Sequence, residues 1–111
     1  MPLVTVTLKQ KRPSEFKSAI LDAVHRSLVA NGVPDTDRFQ RVLELDADNF
    51  RFDPAYPDVA TKRGADFVLI EILWSAGRSV KVKKKMLEEL MALLAKAGHH
   101  QIGRASCRER V

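Results

Sequence analysis

From Leu3 to Leu8 aliphatic residues alternate with threonine, a period of two with β-branched content that suits a strand. After the polar connection Lys9 to Pro13, Phe16, Ala19, Ile20, Ala23, Val24, Ser27 and Leu28 recur at helical spacing. This predicts a helix from Glu15 to Ala30, with Ser14 as its N-cap and Asn31-Gly32 as its stop. His25, beside Arg26, is expected on the exposed side of that helix. Beyond the turn Val33 to Asp37, the stretch Phe39 to Leu45 alternates as a second strand. Strand, helix, strand is the crossover unit, so the two strands are predicted to be parallel.

Asp46 to Gly64 has no sustained period. It reads as a long loop whose aromatic residues, Phe50, Phe52 and Tyr56, pack over an edge of the core. Asp66 to Leu73 is the most apolar stretch and predicts a central strand. A turn at Ser75 to Arg78 and a capping Ser79 lead into a second helix, which ends by Gly98. Val80, Lys83, Met86, Leu87, Leu90, Met91 and Leu94 mark one face of it, and Met86 and Met91 are read as core. Trp74 is assigned to core or interface. The order β-α-β, loop, β-α gives an α+β fold of two similar β-α-β halves, a mixed sheet carrying two helices on one face. Its last strand is expected to be missing. The other sheet face is left apolar, to be covered by copies of the chain.

Composition changes this picture at one end. An apolar content of 45% with 30% charged residues is globular rather than disordered, and 111 residues suit one domain. No apolar run approaches a membrane span and no secretion signal is legible, so a cytoplasmic location with no membrane partner is expected. Residues 102–111, IGRASCRERV, break with the rest and resemble translated sequencing adapter. They are read as a non-native tail on a C-terminally truncated domain spanning residues 1–101. Three arginines and one glutamate belong to that tail, so the net charge falls from +5 to +3 without it. Cys107, the single cysteine, leaves with it, and no thiol chemistry is assigned.

Candidate chemistry begins at Met1-Pro2. Trimming of Met1, which a small second residue permits, leaves Pro2 as a secondary amine with a reference pKa of roughly 8, able to act as a base where an amide nitrogen cannot. Read alone, Arg12 and Arg78 are solvated charges and Asp37 is turn chemistry. The basic run Lys81, Lys83, Lys84 and Lys85 reads as a solvated helix face partly balanced by Glu88 and Glu89. His99-His100 lack a partner at ligand spacing, so no metal and no cofactor are assigned.

Several blocks in order make the chain similar to the tautomerase superfamily, the group with an amino-terminal proline. They are Met1-Pro2-Leu3-Val4, Arg12 before the first helix, GVPDTDRFQ (Gly32 to Gln40), FDPAY (Phe52 to Tyr56), DFVLIEI (Asp66 to Ile72) and SAGRSVKVKK (Ser75 to Lys84). It most resembles the branch containing malonate semialdehyde decarboxylase. The resemblance implies that Pro2, freed of Met1, is the general base or acid on small enol or unsaturated keto acids. It implies that Arg12 and Arg78 hold the substrate carboxylate, that Asp37 assists, and that the full-length protein is a homotrimer. One departure stands out. Ala76-Gly77-Arg78 keeps only the second of two arginines that the decarboxylase branch carries, so the resemblance leaves decarboxylase or dehalogenase chemistry open for this chain.

Two alternatives stay open at the level of sequence. The element order also fits a ferredoxin-like binding module of the RNA-reading kind, with Lys62 to Val68 as a faint basic-glycine-aromatic motif. Asp66 within it would repel phosphate, and no nucleic-acid partner is assigned. A catalytically silent trimer is the other.

Overall fold

The computed structural model describes residues 2–52, 67–75, 80–96 and 104–110. Its elements are β1 (Leu3–Lys9), α1 (Ser14–Ala30), β2 (Phe39–Leu45), β3 (Val68–Ser75), α2 (Val80–Lys96) and β4 (Arg104–Arg110). The strands form one sheet in the order β2-β1-β3-β4. β1 pairs with β2 in parallel and with β3 antiparallel, and β3 pairs with β4 in parallel. Two β-α-β units therefore meet back to back along β1 and β3. In each unit the parallel strands are direct neighbours, which differs from the split β-α-β of the ferredoxin-like alternative.

The last strand, expected to be missing, is present as backbone at Arg104–Arg110, within the stretch read as a tail. Ladder bonds between β3 and β4 use main-chain groups that every non-proline residue carries, so a segment with no strand-like composition can fill that edge when the connection from α2 delivers it there. α1 also starts differently from its prediction. Pro13, at φ −61° and ψ 151°, holds the N-cap position without a side-chain cap bond, and Ser14 is the first helical residue. Proline's fixed φ suits that boundary. The predicted stop holds: Gly32 takes φ 102°, its N–H donates to Val29 O at 3.2 Å, and Val33 N–H donates to Leu28 O at 3.0 Å. These bonds form a Schellman motif, and the buried Val33 supplies its apolar contact.

Alternation in the strands decides where the core sits. Val4, Val6 and Leu8 of β1 and Val68, Ile70, Ile72 and Trp74 of β3 face the helices. They meet Ile20, Val24 and Leu28 of α1 and Met86, Leu90 and Leu94 of α2 in one buried cluster. Each such side chain contributes roughly 1.5–3 kcal/mol by leaving water. The buried stripe of α2 is narrower than predicted, with Met91 37% exposed and Val80 81% exposed. Both lie about a helical quarter-turn or more from the Met86–Leu90–Leu94 line. Near the C-terminal ends of β1 and β2, Phe50 and Phe52 pack with Phe67 at centroid distances of 4.3–5.9 Å, as expected of the loop aromatics. Tyr56 lies outside the described residues. Among those residues no helix is long and apolar enough to cross a membrane.

The second sheet face carries Leu3, Thr5 and Thr7 of β1, Phe39, Arg41 and Leu43 of β2, and Leu69, Glu71 and Leu73 of β3, by register. Phe39 and Leu43 are 49% and 44% exposed there, so among the described residues no helix covers this face. Ile70, opposite Val6 in the centre of the other face, tests the packing. Ile70→Ala should lower unfolding free energy by about 2–5 kcal/mol in urea titrations; a loss below about 1 kcal/mol would place it outside the core.

Candidate functional site

A parallel crossover begins both of its strands at one end of the sheet, so the residues just before β1 and just before β2 become neighbours. Leu3 pairs with Phe39 in the first rung. Pro2 and the segment Asp37-Arg38 therefore share that end, and Pro2 is buried there. β3 runs antiparallel to β1 and brings its own C-terminal end, Leu73 to Ser75, to the same place. Arg78 falls between Ser75 and α2, outside the described residues, as do His99, His100 and the Lys62 to Asp66 part of the basic-glycine-aromatic stretch.

The segment before β2 is built as a tight turn. Asp37 N–H donates to Pro34 O at 3.0 Å and Arg38 N–H to Thr36 O at 3.1 Å. Asp37 is partly buried, whereas Pro34, Asp35 and Thr36 are exposed. Arg38, which the sequence reading did not single out, is tied down on both sides. Its Nη2 donates to Asp22 Oδ1 at 2.7 Å and its Nε to Gln40 Oε1 at 3.0 Å. Each partner in the Asp22 pair is more than two-fifths exposed, so the pair fixes direction more than it adds stability. Its signal in the sequence was its place directly before a parallel strand.

Arg12 is not at this end. It follows β1, whose paired residues Leu3 to Lys9 make seven rungs, a span of roughly 20 Å. Within one copy of the chain, Arg12 and Pro2 cannot hold one small molecule between them. Lys11, immediately before Arg12, adopts φ 69°, a left-handed conformation that a side chain with Cβ occupies at a cost. The bend turns the chain from β1 into α1 and leaves Arg12 half-buried.

His25 corrects a further expectation. It is 6% exposed, and Nε2 lies 2.8 Å from the carbonyl oxygen of Asp35. Its place three residues after Asp22 and three before Leu28, both facing the segment after α1, is the spacing that could have revealed it. On the open sheet face, Arg41 Nε donates to Thr5 Oγ1 at 2.9 Å. Arg41, Thr5 and Glu71 lie in one row across three strands, beside a depression of about 290 Å³ lined also by Leu3, Leu43 and Leu73. A larger groove of about 790 Å³ runs along Val80, Leu87 and Met91 of α2 and contains none of the candidate site residues.

A family model described as tautomerase enzyme matches residues 37–101, more than half of the chain. The chain belongs to this tautomerase family. A malonate semialdehyde decarboxylase inhibited by 3-bromopropiolate is 28% identical to this tautomerase-family chain, with a TM-score of 0.81 over 98% of this chain and 83% of its own. Another malonate semialdehyde decarboxylase structure, which gives a basis for decarboxylase and hydratase activities, shares the fold at TM-score 0.83 and 22% identity, over 97% of this chain and 84% of its own. A fused 4-OT wild-type symmetric trimer matches at TM-score 0.70 and 25% identity, over 97% of this chain and 85% of its own. None of the curated proteins compared with the chain matches it.

The bend that introduces Arg12 can be tested apart from activity. Lys11→Gly should hold stability within about 1 kcal/mol of the parent or raise it, while Lys11→Val should lower it by about 1–2 kcal/mol. Chemical denaturation of the two variants checks this, and equal stabilities would contradict a left-handed Lys11.

Proposed function

We propose that the chain is a tautomerase- or isomerase-like enzyme that acts on small enol or unsaturated keto acids, with Pro2 as general base and acid after removal of Met1. The observation that carries this reading is the placement of a buried Pro2 beside the Asp37 turn at the head of two parallel strands, in a chain of the tautomerase family. The neutral secondary amine takes a proton from the enol hydroxyl or from a carbon next to the carbonyl. Electrons shift along the conjugated system, and the proton is returned at its far end, so substrate and product differ only in the position of one hydrogen and one double bond. Positioned proton transfer of this kind contributes roughly 10²- to 10⁴-fold in rate. In this scheme Asp37 assists from the adjoining turn, and Arg12 and Arg78 hold the carboxylate and the developing enolate charge.

Arg12 enters the scheme from a neighbouring copy, because its own Pro2 lies a sheet length away. A homotrimer supplies that neighbour, in keeping with the trimeric 4-OT structure to which the chain is similar. The uncovered sheet face, with Phe39 and Leu43 about half exposed, is the apolar surface that such an assembly buries. The similar decarboxylases favour hydration or decarboxylation as a related chemistry for Asp37, but the sequence Ala76-Gly77-Arg78, with its single arginine, favours proton transfer as the main activity.

Two outcomes test this reading. Ketonisation of enol phenylpyruvate by the Met1-trimmed protein should fall by roughly 10²- to 10⁴-fold in Pro2→Ala; equal rates would overturn the proline mechanism. Leu43→Asp should shift the protein from trimer toward monomer in light scattering and lose activity with it, since the introduced carboxylate would be buried between copies. A trimer of unchanged stability would move the interface elsewhere.

A further inference from the structure

α1 and the segment after it are joined by a ladder of polar contacts. Val33 N–H donates to Leu28 O at 3.0 Å, Arg38 Nη2 donates to Asp22 Oδ1 at 2.7 Å, and Gln40 Nε2 donates to Leu21 O at 2.8 Å. As the helix is followed backwards from Leu28 to Leu21, the outgoing chain is followed forwards from Val33 to Gln40. His25 occupies the middle of this ladder, at 2.8 Å from Asp35 O. A carbonyl oxygen only accepts, so Nε2 carries the proton and donates.

We infer that His25 is a positioning residue, which fixes the turn that carries Asp37 beside Pro2. The inference rests on the proline reading for its catalytic consequence but not for its structural content. Among the described residues, His25 is the one side chain of another element that bonds within residues 34–36, the exposed crown of the turn. The other rungs act on either side of the crown. Val33 is fixed by the helix stop, and the Arg38–Asp22 pair is exposed to solvent and worth little. The His25 rung is the more shielded one, with the residue 6% exposed and the bond part-buried, so it is weakened less by exchange with water than the Arg38–Asp22 pair. The carboxylate of Asp35 lies 3.4 Å from the same nitrogen, but that side chain is 88% exposed and its pull is screened. Holding Asp35 O in turn holds the next residues, because Asp37 N–H closes on Pro34 O across the crown.

Amide hydrogen exchange and a double-mutant cycle test this. In His25→Phe, exchange at the Asp37 and Arg38 amides should rise roughly 3- to 10-fold, the scale of one net hydrogen bond, while the Ile20 and Val24 amides of α1 keep their protection. His25→Gln, which restores a donor, should recover at least half of that change. On the trimmed enzyme with enol phenylpyruvate, His25→Phe should lower kcat by roughly 10-fold or more with little change in KM, since misplacement of an assisting group is costly. The same substitution in an Asp37→Asn background should leave kcat unchanged. A role confined to overall stability would lower kcat equally in both backgrounds. Unaltered Asp37 exchange in folded His25→Phe, or equal kcat losses in the two backgrounds, would overturn the inference. Should His25→Phe lose the protection of Ile20 and Val24, the imidazole 15N spectrum of the unmutated protein decides instead: protonated Nε2 supports the bond and an unprotonated Nε2 overturns it. The exchange and 15N readouts need no substrate, so a failed proline reading, seen as equal rates for the parent and Pro2→Ala, is told apart from a failed His25.

Discussion

The structure depends on one constraint: β1 and β2 must start at the same end of the sheet, because they are parallel and the chain between them returns through α1. Parallel pairing forces a crossover, and the crossover forces the two strand heads together. Pro2 precedes one head and Asp37 and Arg38 precede the other. Their proximity follows from the ladder register and requires no long-range side-chain pairing. The antiparallel junction of β1 with β3 then brings the end of β3 to the same place, so one end of the sheet gathers segments from both halves. The core of Val6, Ile70, Leu28 and Leu90 holds that geometry from beneath.

The same register also separates. Arg12 sits beyond the opposite end of β1, behind the left-handed Lys11, and a single copy of the chain offers Pro2 no contact with it. The open face of the sheet, where apolar Leu3, Phe39, Leu43, Leu69 and Leu73 surround the polar row Arg41, Thr5 and Glu71, gives a physical reason for several copies to meet. In the proposed account, the assembly that hides this face is also the assembly that completes the site. Stability and catalysis would then share one cause, as is common in small domains whose own cores are modest.

Much of the fold was legible because its signals are local. The alternation of Leu3 to Leu8 and of Phe39 to Leu45 and the stop at Asn31-Gly32 give elements within a residue or two of those in the structure. Membership in the tautomerase family was likewise carried by short blocks in order, and the match over residues 37–101 agrees. What was not legible depends on burial at a distance. His25 looks exposed beside Arg26 until the chain after Gly32 folds back over it, and Met91 looks like core until α2 settles on the Met86–Leu90–Leu94 stripe. β4 was missed because its composition, Arg104 to Arg110, carries no strand signal of its own. The separation of Arg12 from Pro2 follows only from the ladder register, which alternation within one strand does not reveal.

The central claim is that a free amine on Pro2 performs the proton transfer. It is tested most directly by preparing the protein with Met1 retained, recording its rate with enol phenylpyruvate, then removing Met1 enzymatically and recording the rate again, with mass spectrometry to follow the loss of the methionine. The account predicts that activity appears in proportion to the trimmed fraction, rising by roughly 10²-fold or more as the amide becomes an amine. Equal activity before and after removal would contradict it.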